Sequence, residues 1–449
     1  MFLLKSIPKI DKFILDEAFA LLHKPLLTKL SQEVIQNLRQ DILAKKVTSF
    51  THEELIAQVT KRYHDLVTPS LHTLINATGI IVHTNLGRSL IHPKAYERAK
   101  AIATHYNNLE YDTQKGKRGE RYSHISNVLS TLLECEDVLI VNNNASAVFL
   151  ILNTLAKEQE VLVSRGELVE IGGSFRIPDV MAQSGAKLVE IGTTNKTHLY
   201  DYENNINEKT AMLMKVHKSN YAIEGFSSEV EFSDIIEIAK TKEIIDYYDM
   251  GSGHLIDLPF GLSQDEPSVI EYMKHQPSLL SFSGDKLLGS VQAGIIVGKK
   301  KYIEKLKKNP LLRMLRVDKL TLALLEESLT SILLGRIEDI PTLEMLFTPL
   351  ELLQARAKSY IEATALVANC TLIETSTLIG GGTTPNRPIP SYAVRVSIGS
   401  YKAHQLEKLF RARHIIGRIE EDYFILDFKA IQSSEIDRLI EATKGIAHA

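Results

Sequence analysis

Lys286 is a candidate for covalent chemistry because the sequence around it contains so few other charges. It lies in SFSGDKLLGSVQAGIIVG (281–298), where Asp285 is the only other ionisable residue. The pKa of a lysine in a poorly hydrated pocket is lowered, and its neutral amine can form a Schiff base with a carbonyl group. A lysine in a turn that pairs with Asp285 would look the same, and this stretch alone favours that simpler interpretation.

A carboxylate that could support such chemistry comes earlier in the chain. Asp249 ends the apolar run in YYDMGSGHL (247–255) and precedes a Gly-Ser-Gly turn. Carboxylates at strand ends also form ordinary turns. Asp249 therefore points to chemistry only in combination with Lys286, which also follows an apolar run.

The segment NNNAS (142–146) could bind an anion. It leaves an apolar strand and enters a helix that we expect to begin near Ala145. The N–H groups at a helix N-terminus attract anions, and the side chains of Asn144 and Ser146 are further donors. The same residue types are common helix caps, so this signal is weak by itself.

Together these groups match the needs of one cofactor. An aldehyde cofactor with a ring nitrogen and a phosphate requires a lysine, a carboxylate that keeps the nitrogen protonated, and a site for the phosphate. Lys286, Asp249 and residues 144–146 could provide these from three strand ends. The hydroxyl of Ser283 could join the phosphate site. The combination favours pyridoxal 5′-phosphate.

The intervening sequence predicts the framework that would hold these groups. From about Leu74 onwards, short apolar runs alternate with helical patterns, as in EDVLIVNNNASAVFLILNTLA (136–156). Continuous apolar strands separated by helices predict an α/β domain with a mainly parallel sheet covered on both faces. Ligands of such sheets lie beyond the carboxyl ends of the strands. Further strands are expected at EVLVS, AKLVEIG, TAMLMKV, EIIDYYD, SLLSF and AGIIVG.

Two smaller regions flank this α/β domain. Residues 1–70 have helical patterns, and in THEELIAQVTKRYHDL the residues Thr51 and Glu54 have the spacing of a capping box. Residues 321–449 predict a long helix and then a small α+β domain, with strands at YAVRVSI, HIIGRIEE and YFILDF after a loop at GGGTTPNRPIP. The expected domains are therefore 1–70, 71–320 and 321–449.

Composition narrows the class of protein. The chain has 449 residues, a formal net charge of -3, 44% hydrophobic and 24% charged residues, which is typical of a soluble globular protein. Two cysteines, Cys135 and Cys370, are too few for a disulfide framework, and no spaced His, Cys and carboxylate set predicts a metal site. No apolar run predicts a signal peptide or a membrane span. We expect a cytoplasmic protein that does not act at a membrane.

Positive charge is concentrated in one segment. Between Lys299 and Lys319, nine lysines and arginines stand against only Glu304 and Asp318. Such a run is usually the solvated face of a helix, and a phosphate-binding surface is the alternative. The basic loop KGKRGER (115–121) is similarly open to two interpretations: it could reach the cofactor of its own or a neighbouring subunit, or it could be an exposed turn.

The chain contains five long and specific motifs: INATGIIVHTNLGRSLI (75–91), LEYDTQKGKRGERYSH (109–124), SRGELVEIGGSFRIPDV (164–180), KVHKSNYAIEGF (215–226) and SFSGDKLLGSVQAG (281–294). They resemble successive motifs of the bacterial selenocysteine synthase family, the L-seryl-tRNA(Sec) selenium transferases. The resemblance runs from about Ile7 to the C-terminus.

The resemblance implies a fold type I pyridoxal phosphate transferase that carries the cofactor on Lys286. Its reaction would convert L-seryl-tRNA(Sec) to L-selenocysteinyl-tRNA(Sec) with selenophosphate, through a dehydroalanyl intermediate. The resemblance further implies an N-terminal domain that binds the tRNA and a homo-oligomer, a decamer built from five dimers. Asp285 would orient Lys286 or assist proton transfer to the leaving hydroxyl, or it would only form a structural ion pair.

The resemblance also implies a site for the selenium donor. Arg88, Arg313 and Arg316 match family positions that bind this donor, and arginine binds phosphate-like anions through two parallel hydrogen bonds. Because Arg313 and Arg316 are three residues apart, we expect both on one side of a helix. The simpler alternative is a pair of solvated helix arginines and an Arg88 engaged in a salt bridge.

The chain departs from the family pattern beside the expected site. Ser290 and Val291 stand where the family usually has Gly and Pro, and His254 stands where it usually has Ser. Three histidines inside the family motifs are candidates for a place against the cofactor ring: His83, His124 and His217.

Two other functions fit part of this pattern. A pyridoxal phosphate-dependent ammonia lyase, acting on a small phosphorylated amino sugar or amino acid, would use the same lysine and anion site without tRNA. Such relatives lack the N-terminal helices, whereas IPKIDKFILDEAF (7–19) resembles the opening segment of the synthase family. A tRNA-binding protein that has lost its chemistry would not need Lys286 and Asp249.

Overall fold

The computed structural model describes residues 2–171, 175–218, 221, 223, 225–384 and 387–448. Parts of the motifs SRGELVEIGGSFRIPDV and KVHKSNYAIEGF and of the expected loop GGGTTPNRPIP lie outside these described residues. The chain divides into two compact units, Met1–Thr73 and Leu74–Ala449.

The N-terminal unit is helical, as the sequence predicts. Its two long helices are Lys24–Leu43 and His52–Val67, and its shorter helices are Phe2–Lys5, Ile10–Phe13 and Glu17–Phe19. The predicted capping box is confirmed: the Glu54 N–H donates to Oγ1 of Thr51, and the Thr51 N–H donates to the Glu54 carboxylate. One face of each long helix packs into a shared apolar core around Phe13, Leu27, Val34 and Val59.

The second unit is built on a seven-stranded sheet. Its strands in chain order are β1 (Asp137–Val141), β2 (Glu160–Ser164), β3 (Lys187–Ile191), β4 (Thr210–Val216), β5 (Ile245–Gly251), β6 (Leu279–Ser283) and β7 (Gly294–Gly298). In space they are ordered β1-β7-β6-β5-β4-β2-β3, and only β7 runs antiparallel to its neighbours. The predicted α/β fold with a mainly parallel sheet is confirmed.

Both faces of this sheet are covered, which is why its strands are continuously apolar. One buried cluster contains Leu213, Tyr248 and Phe282, and the cluster on the other face contains Met214 and Tyr247. The helices of this part of the unit are Pro93–Thr104, Ser123–Leu133, Asn144–Leu155, Ile177–Ser184, Leu199–Glu203, Phe232–Thr241, Leu262–Asp265, Val269–Met273, Lys300–Lys308, Leu312–Leu315, Lys319–Leu333 and Pro341–Phe347. None of the described helices is long and apolar enough to cross a membrane.

A four-stranded antiparallel sheet forms the C-terminal layer of the same unit. Its strands are β8 (Asn369–Thr377), β9 (Ile389–Ser397), β10 (Arg418–Glu420) and β11 (Tyr423–Asp427), in the order β8-β9-β11-β10. The helices Leu350–Thr364, Ala403–Arg411 and Ile436–Ala447 contribute to its apolar core. A two-residue strand, Ile75–Asn76, pairs in parallel with Ile415–Ile416 and so ties the start of the unit to this layer.

Two details of this layer differ from the sequence prediction. The predicted strand HIIGRIEE is divided at Gly417 between the pair with Ile75–Asn76 and strand β10. A side chain at Gly417 would place its Cβ atom 2.6 Å from the carbonyl oxygen of Ile425, so the chain passes too close to β11 for any other residue. Strand β8 was not predicted, because NCTLIETST is a polar, half-exposed strand at the edge of the sheet.

Candidate functional site

Lys286 lies in a tight turn directly after strand β6. The N–H of Gly289 donates to the carbonyl oxygen of Lys286 (2.9 Å), and the hydroxyl of Ser89 donates to the same oxygen (2.8 Å). Gly284 is needed on the other side of the turn, since a Cβ atom there would lie 2.5 Å from the carbonyl oxygen of Val291. The small residues of this stretch therefore hold the backbone of a buried lysine.

The surroundings of Lys286 favour its neutral amine. Burial lowers the pKa of Lys286, and the positive charge of Arg88 lowers it further. The carboxylate of Asp249 opposes this shift, and Asp285 does so to a smaller extent. The net direction is downward, which is the direction that Schiff-base chemistry and proton abstraction need.

Asp249 is buried on strand β5, and its position is fixed by the helix that follows β1. Nδ2 of Asn144 donates to Oδ1 of Asp249 at 2.7 Å. Burial raises the pKa of Asp249 to about 6, although the hydrogen bond from Asn144 and the charge of Lys286 both lower it. A carboxylate held in this way can bind a protonated ring nitrogen.

The anion-binding turn differs from the prediction in two respects. The helix begins at Asn144, with Asn143 as its N-cap, and Oδ1 of Asn143 accepts from the Ser146 N–H at 2.8 Å. The Nδ2 group of Asn144 donates to Asp249, so it orients the carboxylate instead of meeting an anion. The sequence could not show this because the partner of Asn144 lies on another strand.

These residues enclose one cavity of about 230 Å³, which we call the lysine cavity. Eight of the residues singled out in the sequence line it: Arg88, Asn144, Ala145, His217, Asp249, Ser283, Asp285 and Lys286. Its wall also contains Asn143, Phe175, Gly251 and Gln292. Ser146 is half-buried in the first turn of the helix and does not form part of this wall in the described chain.

His217 is the histidine of the three candidates that reaches the lysine cavity. It follows strand β4, and its backbone N–H donates to the carbonyl oxygen of Asp249 at 2.9 Å. Burial and then the charge of Lys286 lower the pKa of His217 to about 4, so its ring is neutral at neutral pH. The signal in the sequence was its place immediately after the apolar run TAMLMKV, because that is where strand-end ligands of a parallel sheet collect.

Phe175 and Gln292 were not recognised from the sequence. Phe175 lies on a two-residue strand that pairs Phe175–Arg176 with Glu170–Ile171, and Gln292 lies in the turn before β7. Neither residue carries a motif that distinguishes it from an ordinary turn or core residue. Only the fold brings them to the lysine cavity.

Arg88 and Asp285 form an ion pair at the edge of this cavity. Nη1 of Arg88 lies 2.7 Å from Oδ2 of Asp285, and the Arg88 backbone has a φ of 62°. The Asp285 side chain is 11% exposed and that of Arg88 is 39% exposed. Arg88 can therefore turn part of its guanidinium towards an incoming anion while it holds the carboxylate beside Lys286.

Arg313 and Arg316 lie in a different cavity of the chain, which we call the basic cavity. The expectation that both lie on one helix is wrong, because the helix Leu312–Leu315 ends before Arg316, whose backbone is extended. The next helix begins only after its N-cap, Asp318, so an extended residue is needed between the two. Both arginines nevertheless line the same space of about 540 Å³.

The basic loop 115–121 also reaches the basic cavity. The loop contains one strand of a short hairpin, in which Lys117–Arg118 pairs with Tyr111–Asp112. The guanidinium groups of Arg118 and Arg121 bind the Glu110 carboxylate. Arg118, Gly119, Glu120 and Arg121 line the basic cavity together with Arg313 and Arg316.

The lysine cavity fits the cofactor that the sequence predicts. It offers a buried amine, a buried carboxylate and the N-terminus of a twelve-residue helix. Oδ1 of Asn144 and Nδ1 of His217 are buried and have no hydrogen-bond partner among the described residues, so both can bind a polar ligand. No group of three His, Cys, Asp or Glu residues in the described chain is arranged to hold a metal ion.

Comparison with known proteins gives a consistent result. Residues 74–432 match the L-seryl-tRNA selenium transferase family. The chain is 65% identical to the L-seryl-tRNA(Sec) selenium transferase of Sulfurimonas denitrificans over 448 residues, covering 100% of both chains. It is 60% identical to the enzyme of the same name from Aliarcobacter butzleri over 446 residues, covering 99% of each.

Among solved structures, the chain is similar to D-glucosaminate-6-phosphate ammonia-lyase. The TM-score is 0.61 with 19% sequence identity, over 85% of this chain and 99% of the lyase. At this identity the likeness concerns the fold alone.

Proposed function

The chain belongs to the L-seryl-tRNA selenium transferase family, and we propose how its own residues carry out the reaction of that family. The enzyme converts L-seryl-tRNA(Sec) to L-selenocysteinyl-tRNA(Sec) with selenophosphate as selenium donor. Pyridoxal 5′-phosphate is its cofactor, and when bound it supplies an electron-accepting ring that stabilises negative charge at the α-carbon of the substrate.

Lys286 is the residue that holds the cofactor and moves the α-proton. The observation that carries this proposal is the burial of Lys286 and Asp249 in one cavity beside a helix N-terminus. Because burial lowers the pKa of the Lys286 amine, the amine can exist in the neutral form that removes a proton. The α-proton then resides on Nζ of Lys286.

Asp249 and the start of the helix Asn144–Leu155 hold the two ends of the cofactor. Asp249 keeps the ring nitrogen protonated, and Asn144 keeps the Asp249 carboxylate in place. The backbone N–H groups of Asn144 and Ala145, with the Ser283 hydroxyl, bind the phosphate. Ser146 supports this turn through its hydrogen bond with Asn143.

Asp285 and the three arginines serve the second half of the reaction. Asp285 orients Lys286 and is itself held by Arg88. Arg88, Arg313 and Arg316 bind selenophosphate, an assignment that rests on the family resemblance. Arg88 lines the lysine cavity and the other two arginines line the basic cavity, so our proposal is that a second copy of the chain completes the donor site.

We therefore propose a cytoplasmic homo-oligomer, and from the resemblance a decamer built from five dimers. Each of the three expected domains has its own role. The N-terminal helices (1–70) bind the tRNA, the α/β region (71–320) binds the cofactor, and the C-terminal region (321–449) supports the α/β region. Selenophosphate and seryl-tRNA(Sec) are the two substrates, and DNA and membranes are not partners.

The test offers the purified enzyme seryl-tRNA(Sec) and selenophosphate and follows the mass of the aminoacyl group. We expect selenocysteine on tRNA(Sec) only, with no reaction of free serine or seryl-tRNA(Ser), and complete loss of the product with Lys286→Ala. No conversion by a wild-type enzyme that has bound its cofactor would refute the proposed assignment.

A further inference from the structure

Another cavity borders the lysine cavity, and it belongs neither to the proposed cofactor site nor to the proposed selenophosphate site. It has a volume of about 380 Å³, and the side chain of His217 lines both spaces. Three tyrosines, Tyr221, Tyr248 and Tyr272, form part of its wall, and we call it the tyrosine cavity.

Glu266 is an acidic group in this wall whose carboxyl oxygens lack a hydrogen-bond partner. It is 3% exposed, and neither carboxyl oxygen has a hydrogen-bond partner within the described part of the chain. Burial raises the pKa of Glu266 to about 7, against smaller lowering effects of the Thr384 backbone N–H and of Lys286. A buried polar group without a partner is costly, so Glu266 is available to a ligand.

The lysines of the tyrosine cavity, in contrast, are already paired. Nζ of Lys215 donates to the Val230 carbonyl oxygen at 2.7 Å and lies 3.5 Å from the Glu229 carboxylate. Nζ of Lys218 lies 3.0 Å from the same carboxylate. The described wall therefore offers no unpaired lysine for a free amino-acid carboxylate, and it suits a ligand that brings hydroxyl or amine donors.

The aminoacyl end of seryl-tRNA is a ligand with such hydroxyl and amine donors. The serine of a seryl-tRNA is esterified, so it carries no carboxylate, and the ester joins it to the terminal ribose of the tRNA. The ribose and its base must consequently lie next to the space in which the serine reacts. Bases of single-stranded RNA are recognised by stacking on aromatic rings and by hydrogen bonds to their edges, which tyrosines and a carboxyl group can supply.

Selenophosphate, the anionic substrate, would approach the lysine cavity from a border that does not face the tyrosine cavity. Arg88 and Asp285 line both the lysine cavity and a fourth cavity of about 390 Å³. The guanidinium of Arg88 is 39% exposed and offers donors to an anion at that border, whereas both lysines of the tyrosine cavity are already paired. The available hydrogen-bonding groups thus distinguish a side for the selenium donor from a side for the neutral ester.

We propose that the tyrosine cavity receives the 3′-terminal ribose and base of the aminoacyl-tRNA, that Glu266 hydrogen-bonds to this nucleoside, and that the site thereby selects esterified over free serine. The inference rests on the proposed function, and it adds to it the residues that recognise the end of the tRNA.

Two small probes test this site in the cofactor-loaded enzyme without the rest of the tRNA. One is 3′-amino-3′-deoxyadenosine that carries L-serine in an amide linkage, and the other is L-serinamide, which lacks the nucleoside. Binding is followed by the change in cofactor absorbance. In the wild type we expect the adenosine probe to bind at least about tenfold more tightly than L-serinamide, the gain of one stacked and hydrogen-bonded base.

Glu266→Leu and Tyr272→Leu should each reduce this ratio towards one while the affinity for L-serinamide stays unchanged, and Glu266→Gln should keep most of it. Tyr392→Leu, which removes a half-buried tyrosine from strand β9, is the matched control and should leave the ratio at its wild-type value. If Glu266→Leu does not fold, the affinity ratio of the two probes in Tyr272→Leu tests the inference instead.

Equal affinities of the two probes in the wild type, or an unchanged ratio in the folded variants, would overturn the inference. The proposed function fails by a different result, the absence of selenocysteine on tRNA(Sec) with the wild-type enzyme. The two failures are therefore distinguishable.

Discussion

The amide nitrogen of Asn144 lies 2.7 Å from a carboxylate oxygen of Asp249 and so joins the first residue of a helix to the middle of the sheet. Through this bond, the element that would bind the phosphate of the cofactor also orients the group that would bind its ring. A substitution at Asn144 should therefore alter the position of the Asp249 carboxylate, and a substitution at Asp249 should alter the start of the helix.

Replacing Asn144 tests this coupling. Asn144→Ala removes the hydrogen bond to the buried Asp249 carboxylate, and hydrogen bonds to charged groups contribute about 1.5–3 kcal/mol. We expect the dissociation constant of pyridoxal phosphate to rise at least about tenfold, measured by absorbance titration of the cofactor-free enzyme. Asn127→Ala, at an exposed position of the helix Ser123–Leu133, should bind as the wild type does. Equal affinities in the two variants would contradict the coupling.

The buried Asp249 should make the cofactor-free enzyme less stable as the pH rises. Burial raises the pKa of Asp249 from 3.8 to about 6. A carboxyl group whose pKa is higher in the folded state favours that state at low pH, and its contribution is lost as the pH rises from about 4 to about 6. At 1.36 kcal/mol per unit, the loss is about 3 kcal/mol.

The measurement compares the free energy of unfolding of wild type and Asp249→Asn in urea at pH 4 and pH 7. The wild type should lose about 2.4 kcal/mol relative to the variant over this range, since part of the full loss occurs below pH 4. Asp179→Asn, which makes the same substitution at an exposed carboxylate, is the control variant measured in parallel. A flat difference for Asp249→Asn would show that the carboxyl group is not desolvated.

The three arginines should affect one substrate selectively. Arg88→Met, Arg313→Met and Arg316→Met should each raise the KM for selenophosphate at least tenfold, because each removes a guanidinium from the donor site, with little change in the KM for seryl-tRNA(Sec). Arg98→Met is the matched control, since Arg98 pairs with Glu326 and Glu327 away from these cavities. Steady-state kinetics with each substrate varied in turn provides the measurement.

Mixed oligomers test whether two copies share the donor site. Arg88→Met and Arg313→Met subunits, each expected to be nearly inactive at a selenophosphate concentration well below its raised KM, are dissociated, mixed and reassembled. If one copy supplies Arg88 and another supplies Arg313, some sites in the mixture contain both arginines, and activity returns to a substantial fraction of wild type. Activity that stays at the level of the single variants would place all three arginines within one chain.

Gly294 should tolerate no side chain. A Cβ atom at this position would lie 2.2 Å from the carbonyl oxygen of Asn143, so an alanine must separate strand β7 from the turn before the helix Asn144–Leu155. We expect Gly294→Ala to lower the free energy of unfolding by at least about 2 kcal/mol and to weaken cofactor binding. At Gly445, in the helix Ile436–Ala447, a Cβ atom would meet only the Arg413 side chain at 3.8 Å, an ordinary van der Waals contact, so Gly445→Ala should instead be neutral or stabilising by up to about 1 kcal/mol. Equal melting temperatures of the two variants would contradict this reasoning.

The sequence predicted the sheet and the place of the chemistry because both depend on local patterns. Apolar runs mark buried strands, and the polar residues that follow them meet at one edge of a parallel sheet. For this reason the sequence alone predicts that Lys286, Asp249 and Asn144 share one site, and all three line the lysine cavity.

The sequence could not predict the contacts that depend on how side chains from distant segments are oriented towards each other. The bond between Asn144 and Asp249, the entry of Phe175 into the lysine cavity and the separation of Arg88 from Arg313 arise only when the strands pack. The unpartnered carboxyl group of Glu266 is hidden in the same way, since SQDEPS resembles any polar turn. The extended backbone of Arg316 reflects the cap of the following helix and overrides the helical spacing of the two arginines.

The short pairing of Ile75–Asn76 with Ile415–Ile416 has a consequence for how the chain is made. The ribosome synthesises one partner hundreds of residues before the other, and the Asp427 N–H, which binds the Ala77 carbonyl oxygen, emerges later still. The catalytic unit thus reaches its native state only after β11 has been synthesised, and until then Ile75 and Ala77 stay without the layer that buries them. A transcript truncated before β11 would yield a protein that holds every residue of the lysine cavity and yet does not fold.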